Sequence, residues 1–362
     1  MGYNITRFDP STERAGLLSL WHGNLHTAAT GRSHLLEQRF GWLYEQNPER
    51  PATTWVARAD QGDVVVGCAS LYPRQLWYGG QEHLVGTGCD FAVAKEHRVF
   101  GPALALQRAL VENSLDDGYE LLLVRPDKAS FGLFRRVGYR KIAASERWVK
   151  VLRPERYAED INNSPLIVAL SRLAARGLHL LDFGLRAPLL REVMRTRTEI
   201  LDDVDPRFDA LWTEARANYP LAEVRSSAYL GWRFGRLPGQ SHRFFCLVDK
   251  QTDRLLGYVA FTVENNSACI SDLFAVDRDR MMDTLLVQFI GAMHRERLSA
   301  ISVVFLPNQL LRSKLKRLFF LKREDFRPIL LFQHPDSSEH LQRGLPSAAA
   351  HDWVLFDGGM DI

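Results

Sequence analysis

The sequence predicts an α/β chain of the α+β kind, built as two similar domains, each a mixed, mostly antiparallel sheet flanked by helices. Three observations carry that expectation. Length is the first: 362 residues exceed what one compact core usually organises and suffice for two. Internal similarity is the second. "GWLYEQNP" (41–48) and "GWRFGRLP" (231–238) share a Gly-Trp pair and a proline at a separation of 190, and Gly67 and Gly257 hold the same separation inside β-like runs. "FAV" recurs at Phe91–Val93 and Phe274–Val276, and the span from Pro126 to Tyr139 equals that from Pro307 to Phe320, with Arg135-Arg136 opposite Lys316-Arg317. Four matches in one order argue for two copies of one fold. The third observation is periodicity, because each copy starts with short apolar β-like runs and turns to helical spacing late.

Taken in order, copy one reads as strands near Thr53–Ala59, Val64–Leu71 and Leu84–Val93, a helix from Pro102, a strand over "YELLLV", a helix around Lys128–Arg136, and closing strands through Val151. Copy two reads as strands near Arg243–Val248, Leu255–Val263 and Ala268–Val276, a helix near Met282–Arg295, a strand over "AISVVF", a helix near Gln309–Leu318 and a strand over "PILLFQ". Between them, Pro154 to Asp203 reads as a helical connector whose apolar positions pack on its neighbours. The expected domains are therefore residues 1–152 and 204–362, joined by 153–203.

Hydrophobic residues make up 46% and charged residues 25% of the chain, the proportions of an ordinary globular protein. A net charge of +3 suits a phosphate-bearing small molecule and falls short of what phosphate-dominated nucleic-acid binding needs. No nucleic-acid partner is expected. Cys68, Cys89, Cys246 and Cys269 form no C-x-x-C pair and lie in apolar runs, as reduced core residues of a cytoplasmic protein do. The start, "MGYNITRFDP", has no apolar stretch of a secretory signal. The long apolar stretch from Ser164 to Met194 is broken by Arg172, Arg176, Asp182 and Arg186, so no membrane span is expected.

The chemistry concentrates in "EHRVFGPALALQRALVEN" (96–113). Gly101 lets backbone come close to a ligand, Pro102 fits the first helical position, and the amides of a helix start favour an anion. Lys95, His97 and Arg98 add positive charge at the same mouth, while Ala103, Leu106 and Leu110 give the helix a buried face.

The run "CDFAVAKEHRVFGPALALQRAL", with R-x-x-G-x-A from Arg98 to Ala103, resembles the acyl-CoA pyrophosphate motif of the GNAT (GCN5-related) N-acyltransferases. "PDKASFGLFRRVGY", ending in Gly138-Tyr139, is similar to the family's second cofactor segment. The resemblance implies that strands Leu84–Val93 and Tyr119–Val124 splay apart around the arm of acetyl-CoA, which pairs with Phe91, Ala92 and Val93. The diphosphate would then lie on the turn of Arg98, Val99, Phe100, Gly101, Pro102, Ala103 and Leu104, with Asp127, Ser130 and Phe134 as further contacts. Phe134 stands where the family often has an acid tyrosine, and Pro102 withholds an amide. A backbone amide would polarise the thioester carbonyl as an amine attacks. The implied activity is N-acetyl transfer to the amine of a small metabolite, such as an amino sugar or amino acid derivative.

For the base, Asp90 is best placed and Glu96 comes next; the alternative for Asp90 is a carboxylate satisfied at a bulge. Cys89 lacks a histidine tied to it by sequence and is not expected to act as a nucleophile. In copy two the corresponding turn, "DRDRMMDTLLVQ", has no glycine, and Asp277, Asp279 and Asp283 would repel a diphosphate. That copy is expected to be degenerate, with a structural or acceptor-binding role. His22 and His26 lack a third ligand, so no metal is expected. Trp21, Trp42, Tyr44 and Asn47 either line an acceptor pocket or pack on the sheet. Two other functions fit the fold: a CoA-binding scaffold without turnover, and an aminoacyl transferase, which the low charge disfavours. A homodimer through an exposed sheet edge is left open.

Overall fold

Two seven-strand arrays with the same order and sense organise the chain. A computed structural model describes residues 2–25, 33–59, 64–98, 101–156, 171, 173, 176–177, 180, 182, 184–185, 187–324, 327–337, 353–354 and 356. The first half runs β1 (Tyr3–Arg7), α1 (Arg14–Asn24), α2 (Ser33–Tyr44), β2 (Thr53–Ala59), β3 (Val65–Tyr78), β4 (Gln81–Val93), α3 (Pro102–Glu112), β5 (Leu121–Val124), α4 (Phe131–Arg136), β6 (Arg140–Ala144) and β7 (Glu146–Val151). The second runs α5 (Leu190–Arg195), β8 (Thr196–Leu201), α6 (Arg207–Ala215), β9 (Leu221–Glu223), α7 (Ser227–Leu230), β10 (Arg243–Asp249), β11 (Leu255–Glu264), β12 (Ser267–Ala275), α8 (Arg280–Arg295), β13 (Ala300–Phe305), α9 (Gln309–Arg317), β14 (Leu321–Arg323), β15 (Pro328–Gln333) and β16 (Trp353–Val354).

The first sheet is ordered β1-β2-β3-β4-β5-β15-β6 and the second β8-β10-β11-β12-β13-β7-β14. In each, the fourth and fifth strands are parallel and every other neighbouring pair is antiparallel. The halves exchange a strand: β7 joins the second sheet between β13 and β14, and β15 joins the first between β5 and β6. The expected boundaries at 152 and 204 therefore do not separate the sheets. β8 also lies inside the stretch expected to be connector; it pairs with β10 as β1 pairs with β2.

Buried ion pairs hold the exchanged strand. Glu146 accepts from Arg312 Nε and a second Arg312 nitrogen, each at 2.8 Å, and also from Lys322 and Trp148. Lys150, 1% exposed at its side chain, reaches Asp182 at 2.8 Å, and Asp182 in turn meets His294 Nε2 at 3.0 Å. The connector residue Asp182 is thereby tied to both β7 and α8.

The β3–β4 hairpin is longer than β11–β12, and its extension carries β9 of the second half, with Leu76 facing Glu223. Buried Arg74 on β3 pairs with Glu223. At the junction Trp42 and Trp232 stack with centroids 4.2 Å apart and planes 4° from parallel. Each indole N–H donates to the other's backbone carbonyl at 2.8 Å. This reciprocal pair buries both rings fully and puts them in one core with Trp21, Phe40, Phe244 and Phe274. Among the described residues, no helix is long and apolar enough to cross a membrane.

Candidate functional site

The parallel pairing of β4 with β5 stops early, and the opening beyond it is the candidate site. Val85, Gly86 and Thr87 face Leu121, Leu122 and Leu123, and no pairing follows. Gly88 comes next; a Cβ there would lie 2.6 Å from Val124 Cγ1, so only glycine lets β5 pass. One extra residue on β4 between Cys89 and Ala92 then makes a bulge against β3. Asp90 takes the left-handed conformation there (φ 47), which an Asp tolerates better than most side chains. A bulge bends its strand, and here it turns β4 away from β5. Phe91 lines the opening, its ring 6.0 Å from Phe134 in an edge-on contact.

The mouth lies at the start of α3. Gly101, at φ +91, precedes Pro102 at the first helical turn, and a Cβ built on Gly101 would meet nothing within 4 Å. Its carbonyl accepts from Leu104 N at 3.2 Å and Ala105 N at 3.3 Å, which closes the turn. That first turn carries no acidic residue, and a helix start of this kind favours an anion in general. Arg98 is exposed, with Nε donating to the Val93 carbonyl at 3.1 Å and a terminal nitrogen to Asn24 at 3.2 Å. Ala92 and Val93 are buried, and Lys95 and Glu96 are exposed. Val99 and Phe100, also expected on the turn, lie outside the described residues.

On the opposite wall, Asp127 Oδ1 accepts from Ser130 N at 2.7 Å and Ser130 Oγ at 2.6 Å, so these two residues start α4. Phe134 is buried against Phe91 and Tyr139. Among the described residues the Tyr139 hydroxyl finds no hydrogen-bond partner, and burial raises its phenol.

The geometry gives Asp90 a charged partner. Arg39 on α2 donates to it through Nε at 2.9 and 3.1 Å and through a terminal nitrogen at 2.7 Å. Both carboxylate oxygens are thus committed, and the Asp90 side chain is only 3% exposed. Burial alone would lower the Arg39 guanidinium; the Asp90 carboxylate more than offsets this and raises it. The pair fastens the bulge to α2. The second half repeats the device without the turn: Asp272 on β12 receives Arg225 at 2.9 and 3.0 Å and Tyr258 Oη at 2.6 Å. Neither reading of Asp90, as base or as a carboxylate satisfied at a bulge, named Arg39 as its partner. The sequence held a signal for it, since Leu36, Arg39, Phe40 and Leu43 share one helical face and an arginine there needs an anion.

The other candidates separate plainly. Glu96 is exposed beside the mouth, and among the described residues no such pair ties it. Burial raises the Cys89 thiol well above its ordinary value and moves Cys68 up to about 12, which suits inert core cysteines. Trp21 and Trp42 are fully buried, and the Tyr44 hydroxyl sits 2.6 Å from Thr54 Oγ1, so these residues pack the core. His22 is exposed, and His26 lies outside the described residues. Among the described residues no group of three or more His, Cys, Asp or Glu could hold a metal.

Residues 21–139 match the model of the acetyltransferase (GNAT) family. No curated protein matches the chain. Among solved structures, one from Enterococcus faecalis V583, described as a probable N-acyltransferase, is 12% identical over 92% of this chain and 73% of its own, with a TM-score of 0.63. GCN5-related N-acetyltransferases from Kribbella flavida (15% identity, 91% of this chain and 71% of that one) and Anabaena variabilis ATCC 29413 (18%, 91% and 72%) each superpose with a TM-score of 0.58. At these identities the likeness concerns the fold. The interrupted β4–β5 pair, the bulge and the glycine-opened α3 all lie inside the matched span, so residues 21–139 form a GNAT acetyltransferase domain.

Proposed function

We propose that the chain is an acyl-CoA-dependent N-acyltransferase whose first half moves an acyl group, acetyl in the first instance, to the amine of a small metabolite. The observation that carries this reading is the continuity from the β4–β5 opening to an acid-free helix start at Gly101. In this reading the diphosphate rests at the Gly101 turn, with Arg98 and Lys95 supplying charge. The arm runs along the free edge of β4 to Phe91 and Val93, and the thioester lies at the bulge. A backbone amide of the bulge polarises the carbonyl, the amine attacks it, and the tetrahedral species expels the CoA thiolate.

Protons then need carriers other than Asp90. The exposed Glu96 or water takes the amine's proton, and solvent protonates the thiolate, because Phe134 offers no hydroxyl. The second half serves as a degenerate copy with a structural role. A CoA-binding scaffold without turnover is the second reading, and the Phe134 site favours it.

Calorimetric titration of acetyl-CoA and of desulfo-CoA into the wild type and Gly101→Glu tests the proposal. The introduced carboxylate side chain would put bulk and negative charge at the turn, so binding to the wild type should vanish in the variant. A folded wild type that binds neither ligand would remove the reading.

A further inference from the structure

Each group that the first cleft offers to a ligand has, in the second half, a partner from the chain itself. Backbone bonds put the two clefts in register: Ala94 N donates to Val66 O, and Val276 N to Leu256 O, each at 2.8 Å. Gly67 faces Val93 just as Gly257 faces Ala275. Since alternate residues of a strand turn their backbone groups to opposite neighbours, Val93 and Ala275 both present N–H and C=O to the opening beside the parallel strand.

At Ala275 that edge is already taken. The Tyr219 hydroxyl donates to Ala275 O at 2.7 Å and accepts from Ala275 N at 3.3 Å, as a passing peptide group would. At Val93 the carbonyl accepts, among the described residues, from Nε of the exposed Arg98 side chain. The helix starts differ in the same sense. Asp277 Oδ1 accepts from Asp279 N at 2.9 Å and Met281 N at 3.2 Å, placing a carboxylate on the start of α8, whereas α3 begins at bare Gly101. Within the second opening, Phe356 bridges antiparallel to Phe305, the last residue of β13, and is 2% exposed. The carbonyl of nearby Val354 accepts from Arg225 at 3.3 Å, which fastens the segment. The space that remains, about 30 Å³, is lined by Leu273, Met282, Phe305, Leu311 and Phe356 among others.

We propose that the second cleft is a cofactor cleft closed from within, with Asp277 in the place of a diphosphate, Tyr219 in the place of an arm's peptide group, and Phe356 in the place of its apolar end. This rests on the acyl-CoA reading of the first half. An occupant tethered to the same chain competes at an effective concentration of about millimolar or more, and Asp277 adds repulsion against any phosphate. The chain then takes up one acyl-CoA, and the second half is held rigid by its own plug.

Two measurements test this. Titration with acetyl-CoA should give one equivalent per chain in the wild type and none in Gly101→Glu; two equivalents, or one that survives in Gly101→Glu, would overturn the plug. Zero binding by the wild type would instead fail the acyl-CoA reading, and the second measurement then decides the plug by itself. Phe356→Ala should open the apolar cleft and raise anilinonaphthalene sulfonate fluorescence several-fold at unchanged circular dichroism, and unchanged fluorescence would overturn the proposal. Should Phe356→Ala not fold, Tyr219→Phe gives the same decision: exchange of the Ala275 amide should speed up at least about tenfold, and an unchanged rate would refute its role.

Discussion

Glu146 reports directly on the strand exchange. It sits on β7, contributed by the first half, and every partner that grips its carboxylate except Trp148 belongs to the second half. Burial alone would raise this carboxyl, but the donors from Arg312, Lys322 and Trp148 more than offset it and hold it at about 2 instead of 4.5. Protonation is therefore harder in the folded protein than in the unfolded chain. The contribution is fully present above about pH 4.5 and is lost as pH falls toward about 2. That gap corresponds to about 3 kcal/mol, and solvent screening around the exposed Lys322 reduces it to about 2 kcal/mol. Urea unfolding of wild type and Glu146→Gln at pH 7 and pH 3 reads it out. The wild type should lose about 1 to 2 kcal/mol more than the variant between the two conditions. An equal loss in both proteins would refute the reasoning and leave β7 held by its backbone pairing alone.

Other perturbations address the junction, the bulge and the thiols. Trp42→Ala should destabilise the protein by about 3 to 5 kcal/mol, since it empties a core site and strands the Trp232 carbonyl; a cost below about 1 kcal/mol in urea unfolding would contradict the account. Asp90→Asn should cost about 3 kcal/mol by leaving Arg39 uncompensated, while the acidic limb of the kcat/KM profile stays in place. Loss of that limb at unchanged stability would restore Asp90 as the base. Cys68 and Cys89 should resist a thiol reagent at pH 8 in the folded protein and react fully in urea, and rapid labelling of native Cys89 would show a reactive thiol.

Much of this architecture could be read from residues. The separation of 190 between Trp42 and Trp232 is also the separation of the two stacked rings, and "AISVVF" and "PILLFQ" form strands over the ranges their apolar runs suggest. The strand exchange was hidden, because the pattern of a strand states which face is buried and not which sheet it joins. β8 escaped notice for a related reason: "TRTEIL" is a partly exposed edge strand whose polar residues read as connector. At the site, R-x-x-G-x-A located the turn, whereas the fate of each carboxylate depended on distant partners. Arg39 lies 51 positions from Asp90. Asp277 was expected to repel a phosphate; in the structure its carboxylate accepts from the amides of Asp279 and Met281.

Acyl transfer itself is the central claim, and release of free CoA thiol from acetyl-CoA across a panel of small amines tests it most directly. The account predicts amine-dependent release by the wild type, with the acetylated amine as product, and none by Gly101→Glu. Binding of acetyl-CoA with no thiol release above background for any amine would contradict it and leave a protein that keeps the cleft without the chemistry.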